Sequence, residues 1–414
     1  MTSIETRTSW LVAFTMLAVM SFAFGAPFVV VVALKQIASE LGSARTVPAL
    51  AYSLAWLGSA VGGIAMGRVA ERFGTRWTVA FGAAMIGVGL AIASSGDSAW
   101  RLWLGHGLFV GILGIGGINA PGYIYVSRWF DRHRGTALAL ISSGQYVAGA
   151  LWPPIFERAI ALFGWHQTML VFGIVVAGAV VPLALLVLQA PPETVQAVAA
   201  GAGRHDSASR VLGLPPNVAL ALLAAAAFMC CVPMAMPQSH LVAFCSDIGI
   251  PAAQGAAMLS VLLGCAFFSR QVWGWISDRI GGLQTVLCGS ICQILAMAGF
   301  LMTRNEAGLF AVSTFFGLGF AGMVPAYVLA VRQLFPASDA AWRVPTLLMF
   351  SGSGMATGGW LAGFLYDRFG FYGVAFATGL AFNFGNLIII GALVLRHQQL
   401  SRPLLAGLGR SAAD

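Results

Sequence analysis

Arg270 is the one basic residue that stands well inside a long apolar run, residues 248–277 of the 414-residue chain. Insertion scales put the cost of an arginine at a membrane helix centre near +2.5–3.5 kcal/mol, so such a residue is a functional candidate by default. It precedes Ser277 by about 10 Å of helix. A fixed guanidinium there attracts an anion, and its planar fork suits a carboxylate. The competing reading is a side chain that snorkels to the membrane surface. Asn119, Gln145, Tyr146, Ser351, Ser353, Asn383 and Asn386 also fall in apolar runs. They can line a cavity or hydrogen-bond between helices. His106 and His240 titrate near neutrality and are candidates for proton-linked steps, His240 also for substrate contact. No nucleophile–His–acid set, metal-ligand set or phosphate-cradling loop is present, so neither an enzyme nor a metal or other cofactor is expected. The six cysteines (Cys230, Cys231, Cys245, Cys265, Cys288 and Cys292) lack zinc-site spacing and read as small hydrophobes in packing.

The elements that must carry these residues follow from composition. AVILMFWYC residues make up 59% of the chain and charged residues 9%, against about 45–50% apolar and about 25% charged for soluble domains. A soluble enzyme, a disordered chain and a disulfide scaffold are excluded. Apolar runs at 10–34, 47–67, 77–96, 102–127, 135–156, 166–188, 212–246, 248–277, 280–303, 307–331, 344–366 and 369–395 are each long enough to span, which takes about 20 residues. The first exceeds the 7–15 residues of a signal-peptide core and reads as a retained helix. An all-α polytopic membrane protein with twelve transmembrane helices is expected. Residues 1–189 and 214–395 form two six-helix bundles in this reading, joined by a cytoplasmic linker at 190–213 rich in Ala, Gly and Pro, with a cytoplasmic tail at 396–414.

Orientation follows from the basic residues. Of 22 Lys and Arg, six (Lys35, Arg45, Arg101, Arg158, Arg304 and Arg368) fall on one side and Arg270 within a span; the rest share the side of both termini. Positive charge is retained in the cytoplasm, so both termini are expected there. Spreading the basic residues over many loops argues against nucleic acid as a partner.

The two halves repeat. Gly67-Arg-Val-Ala-Glu71-Arg72-Phe-Gly74, followed by Arg76, has its counterpart in Gly274-Trp-Ile-Ser-Asp278-Arg279-Ile-Gly281. Arg134 and Trp152 match Arg343 and Trp360 at nearly the same offset. The two copies of G-x-x-x-[DE]-R-x-G, between helices 2 and 3 and between helices 8 and 9, resemble the signature loop of the major facilitator superfamily. Arg101-Leu-Trp-Leu-Gly105-His106-Gly107 resembles that superfamily's R-x-x-x-G-x-G. The resemblance implies two pseudo-symmetric bundles that alternate access to a central site. It implies gating roles for Gly67, Glu71, Arg72, Gly74, Arg76, Gly274, Asp278, Arg279 and Gly281, and a helper role in the cycle for Arg101.

A narrower resemblance rests on His240 through Ile250, on Ala256 through Ser260 with Ser269-Arg270 and Gly274, and on Trp129 through Gly135 with Gly144, Gly149 and Gly164-Trp165. These stretches are similar to the monocarboxylate transporter and oxalate/formate exchanger families, whose carboxylate-binding arginine falls on Arg270. The chain departs from them in three places. Ala266 stands where some members carry an Asp, Phe28 follows Pro27 where some carry a Lys, and the eleventh span has no second cation. A single cation favours a monoanion. The expectation is a secondary transporter of the plasma (bacterial inner) membrane. Its substrate would be a small organic anion, most simply a monocarboxylate, bound by Arg270 with Tyr146, Gln145, Asn119 and His240. Protons or a counter-anion would be the coupled species, and the lipid bilayer the surroundings. A proton-coupled drug or metabolite exporter of the same fold is the alternative, although its helix 5 motif is unmatched; a membrane enzyme or receptor is a remote one.

Overall fold

Backbone groups in hydrocarbon must be satisfied within the segment itself, which makes helices the solution for isolated apolar runs of this length. The computed structural model describes residues 5–189 and 210–411, and nearly all of them are helical. Helices α1 (Arg7–Glu40), α2 (Thr46–Phe73), α3 (Thr75–Ser94) and α4 (Ala99–Ser127) precede one long run, Arg134–Val187. That run breaks at Gly164 (φ 77°, ψ 167°) into α5 (134–163) and α6 (165–187). It folds back there: Trp152 and Phe156 of α5 meet Phe172 of α6 at centroid distances of 4.9 and 4.8 Å. The second set comprises α7 (Pro216–Asp247), α8 (Ala252–Ile280), α9 (Gly282–Met302), α10 (Glu306–Leu334), α11 (Ala337–Phe369) and α12 (Gly373–Ser411). Ten stretches are long and apolar enough to cross a membrane. With the long run counted as two legs and the 33-residue α11 added, the described chain makes twelve passes. The linker expected at 190–213 lies outside the described residues as far as residue 209.

Helices α1–α6 pack mainly on one another, as do α7–α12. The two sets meet along three seams: α2 on α11, α5 on α8, and α1 on α7. At the α5–α8 seam a side chain at Gly149 would stand 1.9 Å from the Leu263 side chain and 2.9 Å from that of Phe28, so any larger residue would have to displace those side-chain ends. The end of the bundle that holds both chain termini is called the terminal end below, and the opposite one the far end.

The repeat is preserved in backbone detail. Gly74 is the single residue between α2 and α3 with φ 86°, ψ 148°; Gly281 does the same between α8 and α9 with φ 85°, ψ 162°. These values fall in a region that side chains strongly disfavour. Gly67 and Gly274 differ: they lie inside α2 and α8 without a positive φ, and a Cβ added at either would meet nothing within 4 Å. Gly74→Ala and Gly281→Ala should therefore each destabilise by about 1–3 kcal/mol. Gly67→Ala and Gly274→Ala should each be neutral or stabilising by up to roughly 1 kcal/mol. Thermal unfolding of the four purified variants checks this, and equal losses at all four positions would refute the backbone assignment.

Candidate functional site

Arg270 sits on α8 between two bonds that pin this helix to α10. The Ser269 hydroxyl donates to the Gly317 carbonyl at 3.0 Å, and the Trp273 indole N–H donates to the Leu318 carbonyl at 2.7 Å. Held on both sides, the half-buried Arg270 reaches across the seam to α5. Its Nη1 donates to the Tyr146 hydroxyl at 3.1 Å, with the guanidinium carbon 5.3 Å from the ring centroid. The Tyr146 ring is met edge-on by Phe320 of α10 at 5.9 Å. Tyr123 of α4 lies within electrostatic reach of both Arg270 and Tyr146, with its hydroxyl beside Ser142. Among the described residues no carboxylate pairs with Arg270. A half-buried guanidinium thus faces two phenols across the junction of the halves, with its charge uncompensated.

The other expected site residues are distributed differently. Gln145 and Asn119 are half-buried neighbours of this region in sequence, on α5 and α4. His240 belongs to another cluster, nearer the far end. Its Nε2 is 2.8 Å from the Gly359 carbonyl and its Nδ1 3.0 Å from the Tyr372 hydroxyl. A carbonyl can only accept, so Nε2 carries the hydrogen and Nδ1 accepts from Tyr372. His106 is fully enclosed within the first half, Nδ1 on the Leu102 carbonyl at 3.1 Å and Nε2 without a partner. It lies where the i→i+5 hydrogen bonding of Gly105–Ile115 widens α4. Arg101 is at the far end and donates to the Ser95 carbonyl at 2.8 Å, closing the end of α3.

The signature-loop residues Glu71, Arg72, Arg76, Asp278 and Arg279 are exposed at the terminal end. Arg72 and Arg76 lie over Phe73 and Trp77, and Arg279 stacks on Trp275 at 3.6 Å. Neither Glu71 nor Asp278 forms an ion pair among the described residues. In this conformation these loops make no ionic contact between the halves.

That contact is made at the far end. Arg45, between α1 and α2, forms a forked bond with Asp247 at the end of α7, with Nη2 to Oδ1 at 2.8 Å. Its Nη1 also donates to the Tyr372 hydroxyl at 3.1 Å, and the guanidinium lies 3.7 Å over the Tyr366 ring. Lys35 joins at 2.9 Å from both Asp247 and Ser246. Asp367, from the end of α11, accepts the backbone N–H groups of Arg45 and Thr46 at 2.8 Å each, together with the Thr46 hydroxyl. The free N–H groups that open α2 are thus capped by a carboxylate from the other half. Burial alone would lower the proton affinity of Arg45; the Asp247 carboxylate and the Tyr372 hydroxyl more than reverse this and hold it above its ordinary value. Burial raises the Tyr372 phenol against the opposing effect of Arg45, so it stays a hydroxyl. Reading the sequence residue by residue misses this latch and Tyr123. The available signal is that Arg45 and Asp247, of opposite charge, occupy the same loop of the two repeats.

A sequence profile of the Major Facilitator Superfamily matches residues 10–341. The chain belongs to this superfamily. It is an integral membrane protein of a transporter family, with the superfamily's fold of two six-helix bundles. Among relatives, the MFS transporter asaE of Aspergillus flavus is 24% identical over 329 residues, covering 77% of this chain and 72% of its own. Monocarboxylate transporter 13 of Bos taurus is 26% identical over 330 residues, covering 76% and 72%. Among solved structures, a mutant of the nucleoside transporter NupG superposes with a TM-score of 0.72 at 14% identity, covering 93% of this chain and 98% of that one.

Partly exposed ion pairs are individually worth up to about 1 kcal/mol, so the latch is reversible. Asp247→Asn should shift the equilibrium toward an open far end by about fivefold, the equivalent of about 1 kcal/mol. Spin labels at Ala44 and Phe371 should then report a longer distance population; an unchanged distribution would show that Asp247 does not hold the halves together.

Proposed function

We propose that the protein is a secondary transporter of a small organic monocarboxylate, with Arg270 as the group that binds the carboxylate. One observation carries this reading: a half-buried guanidinium at the junction of the halves, bonded to a phenol and paired with no acid. A buried charge left without a partner is costly, and an anionic substrate supplies the missing partner. Tyr146 and Tyr123 offer hydroxyls to the same anion, and Phe320 an apolar wall. A dianion would keep one charge unbalanced at a single cation, which favours a monoanion. The relative that is a monocarboxylate transporter supports the class.

The far-end latch supports alternating access, in which residues 1–189 and 214–395 rock about the central site. In our reading the terminal end is cytoplasmic, as the excess of arginine there predicts, and the latched far end faces outward. The conformation described is then open toward the cytoplasm. Glu71 and Asp278, free of ion pairs here, would engage when the cytoplasmic side closes. Their neutralisation should slow transport several-fold and leave equilibrium affinity within about twofold, since neither touches the site.

The direct test is thermal stability of purified wild type, Arg270→Ala and Arg270→Lys with acetate, lactate and benzoate, because a ligand of the folded state raises apparent stability by mass action. Stabilisation by at least one acid is expected in the wild type and lost in Arg270→Ala. Removing a charge-assisted bond costs about 1.5–3 kcal/mol, so affinity should fall roughly 10–100-fold. Arg270→Lys keeps the charge without the fork and should fall between. Equal stabilisation in wild type and Arg270→Ala would overturn the assignment. Stabilisation by lipophilic cations alone would favour an exporter.

A further inference from the structure

Eight buried side-chain polar atoms among the described residues lack a well-formed hydrogen bond, and four of them stand on α2 and α8: Tyr52 Oη, Ser53 Oγ, Trp56 Nε1 and Ser260 Oγ. Tyr52 Oη and Trp56 Nε1 are near enough to interact with each other, whereas Ser53 and Ser260 have no polar partner. Their placement follows the architecture. Tyr52 and Ser53, 1% and 4% exposed, lie against α11 across the inter-half seam. A Cβ at Gly359 would stand 2.9 Å from the Tyr52 ring and 3.0 Å from Ser53 Oγ. Trp56 lies one turn deeper, its ring 6.3 Å from Tyr52 and 5.6 Å from Phe24 of α1. Ser260 occupies on α8 the place that Ser53 has on α2, under the same offset that relates Gly67 to Gly274. It lies one turn toward the far end from Leu263 and Gly264, which meet Gly149 and Ala150 of α5 across the other seam.

Both halves of a duplicated chain thus carry an unpaired hydroxyl at equivalent positions, between the central arginine and the latch. A buried polar group without a partner destabilises the state that buries it, and hydrocarbon offers no water in compensation. These groups lie on helices whose contacts with the other half must part when Arg45 releases Asp247 and Asp367 releases the start of α2. We propose that Tyr52, Ser53, Trp56 and Ser260 form a second recognition patch. It lines the entrance once the latch opens and hydrogen-bonds the oxygens of the incoming organic anion before it reaches Arg270. The inference rests on the carboxylate reading of the Arg270 site. All four atoms can donate to an anion's oxygen. A cleft of about 360 Å³ at the far end is lined by Lys35, Arg45 and Asp367 among others; both cations are paired with Asp247 while the latch is closed and become available to an anion once Asp247 leaves them. In the latched state Ser53 and Ser260 have nothing to bond, so their burial favours return to the open entrance after each release.

The test uses Ser53→Cys and Ser260→Cys in the full-length protein, each with and without Asp247→Asn. Labelling by a maleimide is followed above the baseline set by the native cysteines. Serine and cysteine are nearly isosteric, so folding should be retained. With the latch intact, labelling should be slow. Asp247→Asn should accelerate it about fivefold, the opening expected from one lost ion pair. Whichever of acetate, lactate or benzoate stabilises the wild type should slow labelling again by about threefold or more at saturation. Tyr52→Phe, which loses the hydroxyl alone, should raise the concentration needed for that protection. No acceleration on weakening the latch would show that these side chains do not line the entrance. Acceleration without protection, by an acid whose stabilisation depends on Arg270, would leave an entrance with no subsite and overturn the proposal alone. If no acid stabilises the wild type, the Arg270 reading falls and the patch falls with it; the thermal panel separates the two failures.

Discussion

A polar group inside a membrane has no water to bond to, and that constraint sorts the interior of this protein into two kinds of residue. In the second half most buried polar groups find one another. Asn386 donates to Ser290 at 2.7 Å and to Asn383 at 3.1 Å, and accepts from Tyr327; Asn383 and Gln293 donate to carbonyls of Ser290 and Cys230. This network ties α7, α9, α10 and α12 into one body. Among the described residues Arg270 pairs with no acid, and Ser53 and Ser260 have no polar partner; these three lie near where the halves meet, while other unpartnered atoms, those of His106 and Gln293 among them, lie inside a half.

The latch obeys the same rule at the opposite extreme. Arg45 is bonded on every side, and Asp367 caps a helix of the opposite half as a helix's own residue ordinarily would. The end of α2 where the cap sits is also where the helix dipole is positive, so the carboxylate is favoured twice over. Yet these groups border water, where an ion pair is worth little alone. Several weak bonds acting together close the far end.

Much of the architecture can be read from the chain, because one-dimensional signals suffice for it. Apolar runs of spanning length predict the passes, the repeat of Gly67–Gly74 in Gly274–Gly281 predicts the two-fold design, and the matching backbone of Gly74 and Gly281 follows from it. A charge in an apolar run singles out Arg270. The boundary at Gly164 is less legible: the break reads as a short gap between runs, while the structure shows one helical run that folds back on a single residue. The latch is illegible by inspection because its partners are hundreds of residues apart, and Tyr123 because its residue type is ordinary and only the bundle brings it to Arg270. His240 shows the limit most clearly. Its sequence neighbours resemble a substrate-binding stretch, but both ring nitrogens are committed to Gly359 and Tyr372, and its bonding ties it to the latch rather than to Arg270.

What the sequence determined by itself is what hydrophobicity and duplication impose: a twelve-pass helical membrane protein, its two halves, its family, and the cation that stands inside a span, Arg270. Those follow from the composition and spacing of local segments, since the bilayer acts on each segment separately. The tertiary structure alone decided which polar groups are paired and which are not, that Arg45 and Asp247 close the far end, and that Arg270 faces Tyr146 across a seam. Those depend on which helix faces meet, a property of the assembled bundle that no single segment encodes.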